Sequence, residues 1–159
     1  MKLINRTSYM DTLTSLIGVP DIKVITGIRR SGKSKLLEAL RDYVEANLSN
    51  SNVIHINYNL DEFEGLLEYH ALLAYVKEHR VPDKQNFLLI DEVQMCDGFE
   101  RAINSLHARL RSIVSMATRA RSTATSMSTR EPAVCPALTL IHCRSSAINI
   151  SLMSSKRSS

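Results

Sequence analysis

Apolar positions alternate between two periodicities along the first two-thirds of the chain. Tyr9, Met10, Leu13, Leu16 and Ile17 recur at helical spacing over Arg6 to Ile17, and Gly18-Val19-Pro20 ends the pattern. Ile22-Lys23-Val24-Ile25-Thr26 then reads as a strand running into Gly27. From Lys33 to Leu48 the residues Leu36, Leu37, Leu40, Tyr43, Val44 and Leu48 define a helix with one buried face. Ser49-Asn50-Ser51-Asn52 has turn composition, and Val53-Ile54-His55-Ile56-Asn57 is a second strand. Residues 58–68 are acidic and irregular; Tyr69, Leu72, Leu73 and Val76 mark the next helix, which stops near Val81-Pro82-Asp83. Phe87-Leu88-Leu89-Ile90 is continuously apolar, as a parallel strand covered on both faces should be, and it ends in Asp91-Glu92. A helix follows, with Phe99, Ala102, Ile103 and Leu106 on one face. Strands and helices alternating in this way predict an α/β fold with a parallel sheet.

The size of 159 residues and 17.8 kDa allows one domain with a real core and is short for two. No apolar run is long enough for a membrane span or a signal peptide, and Cys96, Cys135 and Cys143 are too scattered for a disulfide framework. A cytoplasmic protein without membrane association is expected. The net charge of +4 would point to a polyanionic partner, but its distribution changes that inference. Residues 1–110 hold 13 Lys and Arg against 15 Asp and Glu, whereas residues 111–159 hold 7 against 1. The second segment also has 12 Ser and 5 Thr but no Gly, Asp or aromatic residue. The basic excess belongs to the tail alone.

Gly27-Ile28-Arg29-Arg30-Ser31-Gly32-Lys33-Ser34 has the phosphate-loop pattern G-x-x-x-x-G-K-[ST], placed between a strand and a helix as its mechanism requires. Residues 27–34 are therefore expected to bind nucleotide. The glycines let successive backbone N–H groups turn inward, and the helix N-terminus favours anionic phosphate. Lys33 would contact the β- and γ-phosphates, and the Ser34 hydroxyl would hold Mg²⁺. A chance match in a chain of this length has odds of roughly one in 200. Arg29 and Arg30 could reach phosphate, though a solvated loop face serves them equally well.

The apolar strand that ends in Asp91-Glu92 delivers two carboxylates where open α/β sheets bind ligands. Asp91 would hold Mg²⁺ through water, and Glu92 would orient and polarise the attacking water as general base. Elsewhere, Asp61, Glu62 and Glu64 read as an exposed acidic turn, and His55 and His107 as surface or half-buried residues. Cys96, Cys135, His142 and Cys143 lack paired C-x-x-C spacing and do not suggest zinc. No N-K-x-D base-reading motif is present, which favours ATP over GTP.

Residues 1–107 resemble the N-terminal half of a prokaryotic family of AAA-type P-loop ATPases that carry a C-terminal domain of unknown function. Four stretches carry the likeness: Val24-Ile25-Thr26-Gly27 through Ser34; Leu60-Asp61-Glu62-Phe63-Glu64; Leu89-Ile90-Asp91-Glu92-Val93-Gln94; and Phe99-Glu100-Arg101-Ala102-Ile103-Asn104-Ser105-Leu106. The resemblance implies an additional-strand ATPase core, a requirement for ATP and Mg²⁺, and a transmitted conformational change. It supports Lys33, Ser34, Asp91 and Glu92 in the roles given above, and it suggests Gln94 as a sensor of the γ-phosphate.

The family pattern also calls for a strand with a Thr-Gly-Ser/Asn-like end after the helix of Ile103, then further helices and a last strand. Two of these strands should flank the strand of Val24, and no such pattern is legible beyond Leu110, so Val24 is left without an evident partner. The expectation is an incomplete three-layer P-loop core over residues 1–109, followed by a low-order or non-native Ser/Thr/Arg-rich tail over 110–159, as a shift of reading frame near Arg109 would produce. Ser126-Met127-Ser128-Thr129-Arg130-Glu131, back-translated into a neighbouring frame, permits Tyr-Val-x-Thr-Gly. Three functions follow as expectations: Mg²⁺-dependent ATP hydrolysis with an unidentified protein partner, an inactive remnant, or nucleic-acid binding through the tail's seven basic residues, for which no aromatic platform is present.

Overall fold

The computed structural model describes residues 6–19, 21–27, 30–110 and the strand backbones 112–118 and 138–143. The predicted elements are all present: α1 (Arg6–Ser15), β1 (Ile22–Gly27), α2 (Lys33–Asn47), β2 (Ser51–Asn57), α3 (Tyr69–His79), β3 (Gln85–Asp91) and α4 (Phe99–His107). Short 3₁₀ turns at Asp61–Leu66 and Val93–Met95 lie before α3 and after β3. Two more strands follow, β4 (Ser112–Thr118) and β5 (Leu138–Cys143).

The sheet order is β2-β3-β4-β1-β5. All neighbours are parallel except β5, which runs antiparallel to β1. The strand of Val24 was expected to lack a partner, and the structure corrects this: β4 pairs with it on one side and β5 on the other. Both come from the segment whose composition had hidden them, because pairing uses backbone N–H and C=O groups that any extended segment can offer. The remaining residues of 110–159, including Cys135 and the Ser126–Glu131 stretch, lie outside those described.

Each face of the sheet is covered, giving three layers. Ile22, Val24, Ile54, Ile56, Leu88 and Ile90 face α3 and α4, where they meet Leu72, Val76, Ala102, Ile103 and Leu106. Ile25, Phe87 and Leu89 face α1 and α2, where Leu13, Leu36, Leu37, Leu40 and Val44 close the second core. The continuous apolar run in β3 is thus divided by strand pleating, with Phe87 and Leu89 on one side and Leu88 and Ile90 on the other. Burying each such side chain is worth about 1.5–3 kcal/mol, so β3 is the anchor for whatever its C-terminal end presents. Gly18, with φ of +88°, supplies the left-handed turn that ends α1. Among the described residues, no helix is long and apolar enough to cross a membrane.

Candidate nucleotide site

Parallel strands bring β1 and β3 to the same edge of the sheet, with β4 between them. Ile90 is level with Ser115 of β4, which is level with Val24 of β1. Asp91 therefore ends its strand level with Ile25, and Gly27 projects two residues further along. The two strands are about 10 Å apart, twice the interstrand spacing. A lysine at the start of α2 can cross that distance. Asn57 is the register partner of Asp91 on the other side.

Over its described residues, the loop that enters α2 turns through two left-handed positions, Arg30 and Gly32. Gly32 caps the helix in the left-handed region, with φ 86° and ψ 19°, and its carbonyl accepts from the Leu36 N–H at 3.1 Å. Arg30 is also left-handed, with φ 64°, and Ser31 between them is not. Alternation of this kind turns successive N–H groups toward one side, the geometry of an anion-binding concavity. The Arg30 side chain is exposed, whereas the Ser31 hydroxyl is buried without a hydrogen-bond partner. Ile28 and Arg29, the other two loop positions expected to bind, lie outside the described residues.

Lys33 is only 4% exposed and donates from Nζ to the Gly27 carbonyl at 3.3 Å. Burial lowers its pKa, while the charges of Glu92 and then Asp91 oppose that shift. The lysine therefore feels both carboxylates. Asp91 is 1% exposed; burial pushes its pKa up, while the nearby Ser34 hydroxyl is the main influence favouring the ionised form. Neither of its carboxylate oxygens has a hydrogen-bond partner of standard geometry. A buried carboxylate in that condition is an exception that asks for a reason.

At Glu92 the backbone is left-handed, with φ 55° and ψ 46°, and the chain folds into the 3₁₀ turn Val93–Met95. Val93 is fully buried and pins the turn, which places the Gln94 amide against the Glu92 carboxylate. His55, on the neighbouring strand, is half-buried, and burial lowers its pKa against the pull of Asp91. Sequence reasoning set His55 aside because its neighbours across strands are invisible along the chain. The structure thus brings Lys33, Asp91, Glu92 and Gln94 together, with Ser34 beside Asp91. Asp61, Glu62 and Glu64 are exposed on their own turn.

An α/β sheet with a glycine-capped loop, a buried lysine and two strand-end carboxylates defines a P-loop nucleotide-binding protein. Comparison with known proteins makes the class specific. The AAA domain family matches residues 19–134, and the chain belongs to that AAA-type P-loop ATPase family. An uncharacterised protein of Haemophilus influenzae (strain ATCC 51907 / DSM 11121 / KW20 / Rd) is 32% identical over 107 residues, covering 65% of this chain and 26% of that protein. The chain thus spans about a quarter of that relative's length. Among solved structures, domain III of the Thermotoga maritima replication initiation protein DnaA is similar with a TM-score of 0.49 and 22% identity, over 74% of this chain and 52% of that one. AMPPCP-bound DnaA from Aquifex aeolicus gives 0.45 and 20%, over 75% and 40%.

Proposed function

We propose that the chain binds ATP in the loop Gly27–Ser34 and hydrolyses it in the cytoplasm. The observation that carries this reading is the buried Lys33 at the start of α2, one strand away from the end of β3, where Asp91 is buried with no hydrogen-bond partner of standard geometry and Glu92 follows it. Backbone N–H groups of residues 27–34 would hold the phosphates, and Lys33 would neutralise the β- and γ-phosphates. Ser34 and Asp91 fit a divalent cation of the kind bound by one carboxylate, a hydroxyl and substrate phosphates. When bound, Mg²⁺ supplies charge neutralisation across the β- and γ-phosphates. Glu92 acts as general base on the attacking water.

The purified chain is expected to bind ATP and release phosphate. Lys33→Ala should weaken binding at least tenfold, and Glu92→Gln should preserve binding while cutting turnover by about 10²-fold or more. Binding that is indifferent to Lys33→Ala would overturn the assignment. Binding without phosphate release in the unaltered chain would favour the second reading, an inactive remnant. The abrupt loss of Gly, Asp and aromatic residues beyond Leu110 is what speaks for that reading. For the same reason we propose that residues 110–159 derive from a changed reading frame.

A further inference from the structure

Glu92 and Gln94 are two positions apart, a separation that on a regular strand keeps side chains some 7 Å from each other. Here they touch. The left-handed backbone at Glu92 reverses the chain, and the Met95 N–H donates to the Glu92 carbonyl at 2.9 Å, closing a tight turn. A non-glycine residue is disfavoured in that conformation, so the turn is held against a local preference. The buried Val93 provides the hold.

Gln94 Nε2 donates to Glu92 Oε2. Because an ionised carboxylate only accepts, the amide must present its NH₂ group there, which fixes the orientation of its oxygen. That oxygen, Oε1, is buried and accepts no hydrogen bond. Two acceptors therefore lie side by side at the strand end: the Glu92 carboxylate and the unsatisfied amide oxygen. A buried acceptor left in this state in a folded protein needs a reason, and service to a reacting molecule is one.

We infer that Gln94 and Glu92 together form a two-point clamp for the attacking water. This rests on the hydrolytic reading above. The water donates one hydrogen bond to Glu92 and one to Gln94 Oε1, which turns a lone pair of its oxygen outward. That oxygen forms a bond to the γ-phosphorus, and the bond from phosphorus to the bridging β-phosphate oxygen breaks, its electron pair leaving with ADP. The proton passes to the Glu92 carboxylate and then to solvent. Gln94 takes up no proton; it fixes direction, while its NH₂ group holds the base in place.

Steady-state phosphate release and ATP dissociation constants of the full chain test the clamp. Gln94→Leu should lower kcat by about 10- to 100-fold with the ATP Kd unchanged within about twofold. Gln94→Asn, which keeps the amide but draws it back, should fall below the parent as well. The Glu92→Gln/Gln94→Leu double variant should lose no more turnover than Glu92→Gln alone, because groups that act as a unit are not additive. A purely structural glutamine would instead weaken ATP binding or add its loss to that of Glu92→Gln, and either result overturns the clamp. Normal turnover in Gln94→Leu with an inactive Glu92→Gln overturns the clamp and leaves the hydrolytic reading standing. A parent chain that binds ATP without releasing phosphate overturns both.

Discussion

Lys23 lies in mid-strand with its side chain 1% exposed on the α1/α2 side of the sheet, near Leu13, Leu40, Phe87 and Leu89. Its Nζ donates to the Val19 carbonyl. Burial pushes its pKa down to about 8, against a smaller upward pull from Asp21. In the unfolded chain a lysine titrates near 10.4, so between these values the unfolded state holds more protons and stability rises with pH. The full penalty, up to roughly 3 kcal/mol, is present below pH 8 and is relieved toward pH 10. Lys33 acts in the same direction, while burial raises Cys96 and Tyr58 and costs stability above about pH 9. Thermal unfolding between pH 7 and 9 should therefore show stability increasing. Lys23→Met should be more stable at pH 7 by roughly 1–3 kcal/mol, with the gap narrowing by pH 9. A destabilised Lys23→Met at pH 7 would show that the bond to Val19 outweighs desolvation. The strand was legible from Ile22 to Thr26, but which of its residues are buried was not, because a strand covered on both faces carries no polar side.

At the level of elements, α3 and α4 begin at a shared joint. The Asp97 N–H donates to the Leu67 carbonyl at 2.7 Å, and the Tyr69 N–H to the Asp97 carbonyl at 3.0 Å. Gly98 then starts α4 with φ of +70°, and a Cβ there would meet the Tyr69 ring at 2.9 Å. Gly98→Ala should cost about 1–2 kcal/mol from left-handed strain plus displacement of Tyr69, measured as a lower denaturation midpoint with an unchanged slope. No loss of stability would mean that the joint relaxes freely. The phase of α4 was readable because Phe99, Ala102, Ile103 and Leu106 repeat at helical spacing, and all four are buried. β2 begins two residues before its apolar run because Ser51 and Asn52 pair with Gln85 and Asn86. There Asn52 Nδ2 donates to Asn86 Oδ1 at 2.8 Å, so a polar pair extends a strand where composition suggested a turn. Near the site, what was legible from spacing is placement: Gly27 at the end of β1, Lys33 at the start of α2, and Asp91 at the end of β3. The Gln94–Glu92 contact depends on the left-handed turn at Glu92, which no glycine announces.

For the whole molecule, the sheet closes through segments unlike the rest of the chain. β4 and β5 flank β1, yet both lie in the region without Gly, Asp or aromatic residues. Backbone pairing asks only for extended, β-tolerant sequence, and Ile113, Val114, Thr139 and Ile141 meet that need. Catalysis asks for more. The strand between the phosphate loop and the Asp91 strand ends in Met116-Ala117-Thr118, without the Thr-Gly-Ser/Asn pattern that the family resemblance implies. Pairing in the sheet therefore does not by itself establish the origin of residues 110–159, and the coding DNA decides it. Read in the neighbouring frames beyond Arg109, it is expected to encode a strand pattern such as Tyr-Val-x-Thr-Gly opposite Ser126–Glu131, with Ser128 using a TC-type codon. Early stop codons in every other frame, with no alternation of apolar residues before them, would make 110–159 the native sequence. In that case β4 would be the strand with which any catalysis has to work.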